Sequence, residues 1–362
     1  MSATAPVPAP ATEATSEPNA APTARPLTAP PMRVGVTPDI NLWSRPWAER
    51  RRRIELVAEA GFDHVFFADH VSFRTGHGND GMVTAAALAN LHPDLGVYLG
   101  VYLLPLRHPV PVARQLANLA EMAPGRISFG VGIGGDDRHE VELCGVDPRT
   151  RGRRADESLG IVLRLLAGEA VDHRGEFFSL SDARITPTPD PPIGVYVGGR
   201  SDAAVRRAGR FADGWLGTWC SAERYRAALS LFAETAQTER APAAAAPARR
   251  AHAERAGPAR AFAAADHGLQ LWVGIGESRQ SASACVGPEL ERFYRVPFAA
   301  FEKYTPCGTV DDVVDFFMPY LEAGCRHVNM TPCAADPDEA ILAAGEVARR
   351  LREADPLAES DA

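Results

Sequence analysis

Residues 97–133 read VYLGVYLLPLRHPVPVARQLANLAEMAPGRISFGVGI, and the order of patterns inside this stretch decides the fold. Val97 to Leu104 is a short apolar run of strand length. Val110 to Met122 repeats its apolar residues at helical spacing, and Ile127 to Ile133 is apolar again. The helix stops before Pro124 and Gly125, which punctuate helix ends. Strand, helix and strand in so short a span form the unit from which a parallel sheet wrapped by helices is wound.

The same alternation recurs on both sides. Arg33 to Pro38 and His64 to Asp69 precede the unit. Ile193 to Gly198, Asp213 to Thr218, Leu269 to Ile275 and His327 to Pro332 follow it, with a further helix from Ala48 to Ala60 that ends at Gly61. Eight strands with crossover segments predict an α/β chain folded as a closed (β/α)8 TIM barrel over residues 32–352, since a doubly wound sheet usually needs fewer strands. A long insertion after strand four, Glu140 to Pro192, carries a helix (RRADESLGIVLRLLAGE) and a hairpin around His173-Arg174-Gly175, and is expected to lie over the mouth as a lid. Residues 1–31 read as a disordered Ala/Pro-rich tail, 353–362 as a C-terminal tail, and about 238–265 as an Ala-rich insertion.

Composition excludes several classes. Hydrophobic residues are 46% and charged residues 23%, as in a globular enzyme with a large core. A net charge of -8 without a basic block argues against nucleic-acid binding. No apolar run suits a signal peptide or a membrane span, so the expected location is cytoplasmic. The six cysteines form no CxxC pair, which fits reduced thiols rather than a zinc cluster. Lys303 is the only lysine, so no GxxxxGK[ST] phosphate loop exists and a Schiff-base mechanism has one candidate. Neither HxH nor HExxH occurs, and no metal site is expected.

Three places carry candidate chemistry. Gly130 to Gly135 satisfies GxGxxG after a strand, but Asp136-Asp137-Arg138 follows and the unit is the fourth of eight, which does not suit a Rossmann site. Gly132, Gly134 and Gly135 are instead read as backbone cleared for a flat ring, or as tight packing at a strand end. Gly198, Gly199, Arg200 and Ser201 follow strand five and open a helix, an arrangement suited to a phosphate, although plain capping also explains Ser201. Asp69 and His70 end strand two, where barrel enzymes keep catalytic groups; a structural histidine is the alternative. Asp136 and Glu277 are the candidate carboxylate pair for a barrel glycosidase, a weaker alternative. Trp43, Trp47, Trp215 and Trp219 lie near strand ends and suit a planar ligand or simply the core.

Taken together, FADHV (67–71), LPLRHPVPVARQLANLAEMAPGRISFGVGIGG (104–135), RGRRADESLGIVLRLLAGE with HRGEFFSL, PPIGVYVGGRSDAAVRRAGRFADGWL (191–216) and CGTVDDVVDFFMPYLEAGCRHVNM (307–330) resemble the bacterial-luciferase-like oxidoreductases, which use FMN or the deazaflavin F420. The resemblance implies a ring over strands three and four, a phosphate at the helix after strand five, and often a homodimer. It implies that His70 is the active-site histidine, that a backbone bulge at Val101 and Tyr102 backs the ring, and that Gly134 and Gly135 lie beside it. The F420 sugar-phosphate dehydrogenases of this family carry a Glu after the strand-four glycines and a Trp four residues after the histidine; Gly135 or Asp136 and Arg74 stand there in this chain. The leading expectation is an FMNH2-dependent monooxygenase of a small organic substrate, with reduced flavin supplied by a partner reductase. F420-dependent hydride transfer is the alternative, and a flavin-binding protein without turnover is a third reading.

Overall fold

The computed structural model describes residues 31–74, 76–135, 137–239 and 266–355. Residues 1–30, Thr75, Asp136, nearly all of the Ala-rich insertion and residues 356–362 lie outside the described residues. The first half contains β1 (Arg33–Val36), α1 (Trp47–Glu59), β2 (His64–Phe67), β3 (His70–Phe73), β4 (His77–Asn79), α2 (Gly81–Ala89), β5 (Gly96–Leu103), α3 (Pro109–Met122) and β6 (Ile127–Gly132). Next come α4 (Arg138–Leu143), α5 (Arg151–Leu166), β7 (Val171–Arg174), β8 (Ser179–Ala183), β9 (Gly194–Gly198), α6 (Asp202–Phe211), β10 (Gly214–Thr218) and α7 (Ala222–Thr238). The remainder is β11 (His267–Ile275), α8 (Arg279–Tyr294), β12 (Cys307–Gly308), α9 (Val310–Glu322), β13 (Cys325–Cys333) and α10 (Pro337–Glu353).

Strands β1, β2, β5, β6, β9, β10, β11 and β13 pair in parallel in chain order, and β13 pairs back onto β1. The sheet therefore closes into the expected eight-stranded barrel with no free edge. Apolar faces of the helices seal its outside: Ile54 and Val57 of α1, Val112 and Leu116 of α3, and Leu159 and Val162 of α5 are essentially fully buried. Each such side chain contributes roughly 1.5–3 kcal/mol when taken out of water. Capping sets where helices begin; Asp80 accepts the N–H groups of Met82 and Val83, and Ser201 accepts that of Ala204.

The insertion after strand four contains the expected helix and hairpin, and it reaches the mouth through Glu140 and Arg151 at its N-terminal end. Helix α5 packs against α3 as the crossover from β6 to β9, and the β7–β8 hairpin is tied to it by His173 Nε2 at 2.9 Å from Glu157 Oε1. No hairpin residue lines the cavity at the mouth. The β3–β4 hairpin and the C-terminal end of α8 also wall the mouth.

The N-terminal half of the barrel interior is polar. Arg33 pairs with Asp266, Asp266 also holds His327 and accepts the Tyr196 hydroxyl at 2.8 Å, and His64 Nε2 lies 2.6 Å from Asn329 Oδ1. Gly35 makes room for His64, whose Nε2 would be 2.0 Å from any Cβ there. The Tyr98 hydroxyl, His327 Nδ1 and Asn329 Nδ2 are buried and lack a partner among the described residues.

Candidate active site

A cavity of about 850 Å3 opens at the C-terminal ends of the barrel strands, within the size range typical of ligand pockets. Its inner wall is shaped by β5, whose Gly100–Val101 peptide is cis. The register of β5 against β6 shifts between Leu99 and Tyr102. At this bulge the Val101 side chain stands in the barrel mouth between two glycines. A Cβ at Gly132 would lie 2.3 Å from Val101 Cγ2, and one at Gly198 would lie 2.6 Å from Val101 Cγ1. The glycines at these strand ends are thus bare to admit the valine; the shelf offered to a ring is the bulge itself.

Tyr102 does not line the cavity, contrary to the expectation from sequence. The bulge changes which residues point inward, and the Tyr102 ring is buried between Phe129, 5.6 Å away, and the Arg107 guanidinium, 4.5 Å away. Val101, Gly132, Gly134, Gly135, Gly198, Gly199, Arg200, Ser201, Asp69 and His70 all do line it. Gly134 and Gly135 have φ of 69° and 144°, conformations that disfavour a side chain.

At one end of the cavity the start of α6 presents N–H groups that have no acceptor within the helix. Ser201 Oγ caps it at 3.3 Å from the Ala204 nitrogen. The preceding turn is held from below, since Trp215 Nε1 donates to the Gly199 carbonyl at 2.8 Å and Arg224 donates to the Arg200 carbonyl at 3.0 Å. Arg151 of α5 reaches the cavity beside Gly135. It joins Arg200 as a second cation at this end, a residue that sequence alone did not mark because it sits 16 positions past Gly135 on another element.

His70 and Asp69 divide sharply in role. Asp69 is fully buried, with its oxygens taken by the N–H groups of Gly81 (2.8 Å) and Leu103 (2.9 Å) and by both Arg107 Nη atoms (2.6 and 2.7 Å). These four donors tie β2, β5 and α2 together through Asp69, while burial, opposed by the Arg107 charge and these hydrogen bonds, pushes its carboxyl up. His70 is partly exposed to the cavity, and its Nδ1 lies 3.1 Å from Glu140 Oε2.

Glu140, on α4, is the site residue that sequence reading missed. It also accepts the N–H groups of Val71 (2.7 Å) and Ser72 (3.1 Å), so one carboxylate fixes both the histidine and its strand. Burial pushes the Glu140 carboxyl up, but hydrogen bonding and charge from His70 and the two backbone N–H groups outweigh it and hold the group below the usual range. An ionised carboxylate only accepts, so Nδ1 of His70 carries a proton and Nε2 is the atom left for a ligand.

The remaining wall is aromatic. Trp43 and Trp219 line it as expected, together with Trp272, Phe293 and Tyr294. Trp47 lies outside the site, 63% exposed on α1, and Trp215 is buried beneath Gly199. Glu277 is not at the cavity, so the carboxylate pair needed for a glycosidase is not assembled among the described residues. Among the described residues, no group of three or more His, Cys, Asp or Glu side chains is placed to hold a metal, and no helix is long and apolar enough to cross a membrane.

Comparison with known proteins agrees with this geometry. The sequence profile of a family described as luciferase-like monooxygenase matches residues 27–324. An F420-dependent glucose-6-phosphate dehydrogenase of Nakamurella multipartita is 34% identical over 206 residues, 53% of this chain and 58% of that protein. The chain spans about half the length of the curated relatives it matches. Among solved structures, an F420-dependent secondary alcohol dehydrogenase in complex with an F420-acetone adduct superposes with a TM-score of 0.71 at 17% identity, over 89% of this chain and 99% of the other. The oxygenating constituent of 3,6-diketocamphane monooxygenase from Pseudomonas putida, in complex with FMN, gives 0.66 at 16% identity, over 89% and 98%.

Proposed function

Because the chain belongs to the luciferase-like monooxygenase family, we propose that it is a two-electron oxidoreductase that binds coenzyme F420 and oxidises an alcohol or reduces the corresponding carbonyl of a small molecule. The observation that carries this reading is the His70–Glu140 pair, which leaves a histidine nitrogen available beside an aromatic-walled cavity. When bound, the deazaflavin supplies the hydride acceptor or donor. His70 Nε2 takes the substrate hydroxyl proton on oxidation and gives a proton back on reduction, while Nδ1 stays engaged with Glu140 in both directions. Glu140 stabilises the imidazolium that results and keeps the ring oriented, and the aromatic wall excludes water.

The chain fits a cofactor with a flat ring and an anionic arm. The Val101 shelf suits the ring, and Arg151, Arg200, Ser201 and the start of α6 suit the anion. Glu140 reaches His70 from α4, so the missing Glu at Gly135 or Asp136 does not leave the histidine without a carboxylate. FMN-dependent monooxygenation is the second reading, favoured by the fold shared with an FMN-bound oxygenase. In that case a partner reductase supplies reduced flavin, and a homodimer belongs to either reading.

The test is anaerobic titration of the purified protein with F420 and with FMN, followed by single-turnover assays on alcohols. Tight F420 binding with hydride transfer supports the proposal. Preference for FMN with oxygen-dependent turnover moves the assignment to the second reading, and binding of neither cofactor refutes both.

A further inference from the structure

One part of the cavity wall is a chain of aromatic rings beginning at His70. Its ring centroid lies 4.2 Å from that of Phe73, Phe73 lies 5.3 Å from Phe293, and Phe293 lies 5.8 Å from Trp272 and 4.9 Å from Tyr294. Trp272 of β11 stands at its far end, and two chain segments build the rest, Phe73-Arg74 from the β3–β4 hairpin and Arg292-Phe293-Tyr294-Arg295 from the end of α8. In both, rings form the wall and an arginine stands next to them at the exposed mouth.

Arg74 and Arg295 share unusual features. Both line the cavity, both are exposed, and both hold a left-handed backbone, with φ of 54° and 56°. At Arg295 this conformation ends α8, with the Arg295 N–H donated to the Glu291 carbonyl at 2.9 Å, and at Arg74 it falls in the turn of the β3–β4 hairpin. Neither forms an ion pair among the described residues, whereas Arg292 is paired with Glu289. Of the nearby acids, Glu140 is held by His70 and Asp39 by Arg45 and Arg53; burial pushes the Asp137 carboxyl up, but the N–H groups of Arg74 and His139 and the Arg74 charge hold it below the usual range. The result is a ring-lined wall under two arginines that form no side-chain ion pair among the described residues.

We propose that this half of the site binds an aromatic acid, with its ring against Phe73, Phe293 and Trp272 and its carboxylate held at the mouth by Arg74 and Arg295. The proposal rests on the oxidoreductase reading, since it names the substrate class of the same site. A sugar fits this wall poorly, because its hydroxyls would be desolvated against rings that return few hydrogen bonds.

The probes are 6-hydroxy-2-naphthoate and 2-naphthol, which share a ring and a hydroxyl and differ in the carboxylate. Calorimetric titration of the full chain, with and without F420 or FMN, should show the naphthoate binding roughly tenfold tighter or more. Arg74→Gly and Arg295→Gly should each remove most of that advantage and leave 2-naphthol unchanged. Glycine suits the left-handed backbone at both positions, so these variants keep the fold. Phe293→Ala should weaken both probes alike. Equal affinities for the two probes overturn the proposal, as does tighter binding of glucose 6-phosphate. A loss of cofactor affinity in the arginine variants with naphthoate unaffected also overturns it and assigns the arginines to the cofactor. Failure of both cofactors to bind strikes the oxidoreductase reading alone, because the naphthoate preference is measured without cofactor as well.

Discussion

Gly198→Ala tests whether the Val101 wedge organises the site. The new Cβ would stand 2.6 Å from Val101 Cγ1, about 1 Å inside ordinary carbon contact. A β-branched side chain has few alternative rotamers, and here the other methyl already fills the space over Gly132, 2.3 Å from where a Cβ would be. Turning Val101 away from the added methyl therefore drives one of its own toward Gly132 or into the cavity. Overpacking of this kind costs about 1–3 kcal/mol, and the displaced methyl intrudes where the ring would rest. The expected outcome is a lowered urea midpoint together with a cofactor affinity reduced roughly tenfold, equivalent to about 1.4 kcal/mol. In a Val101→Ala background the same Gly198→Ala change should cost well under about 1 kcal/mol, a coupling of the size found between touching residues. If Gly198→Ala is equally damaging with valine or alanine at 101, the glycine is required for another reason and the wedge argument fails.

His70→Ala should lower single-turnover rates by about 10- to 10000-fold while changing cofactor affinity little; wild-type rates would make the histidine structural. Glu140→Gln should retain the fold, because an amide oxygen still accepts the Val71 and Ser72 N–H groups, yet lower turnover and shift its pH profile; an unchanged profile would remove Glu140 from the chemistry. Ser201→Asp should weaken binding of FMN or F420 far more than it lowers the melting temperature, since a carboxylate still caps α6 but repels a phosphate; equal affinities before and after the change would remove this helix start from the site. Burial, aided by the neighbouring His327 and Arg33 charges, pushes His64 down to about 3, while the unfolded chain titrates near 6.5. The unfolded state therefore takes up the proton first, and stability that is full above about 6.5 falls as pH drops toward 3, by up to about 1.4 kcal/mol per pH unit. Urea midpoints at pH 7, 6 and 5 check this, and a flat response over that interval would contradict it.

The barrel was legible because each strand is a short apolar run flanked by helix-period segments, and all eight expected strands coincide with barrel strands. His70 and the start of α6 were legible because the barrel puts ligands at strand ends. The bulge at Val101 and Tyr102 was legible only through the family resemblance, and alternation along β5 breaks there, which turns the Tyr102 ring away from the cavity. Glu140 was hidden because it lies 70 residues from its partner on a six-residue helix, and its role depends on where that helix lands. Which part of the insertion reaches the mouth was hidden for a related reason: a hairpin in the sequence says that two strands meet, not which end of the barrel they visit.

The polar base of the barrel has a consequence for how this protein can change. Barrels are commonly filled by layers of branched aliphatic residues, and such packing tolerates swaps of similar volume. Here Arg33, His64, Tyr196, Asp266, His327 and Asn329 are joined by ion pairs and hydrogen bonds, so a replacement must keep those donors and acceptors as well as match size. The lower half is therefore close to immutable one residue at a time, while the upper half, made of hairpin tips and a helix end, is free to diverge. New specificities in such a molecule arise by redrawing the rim over a base that stays as it is.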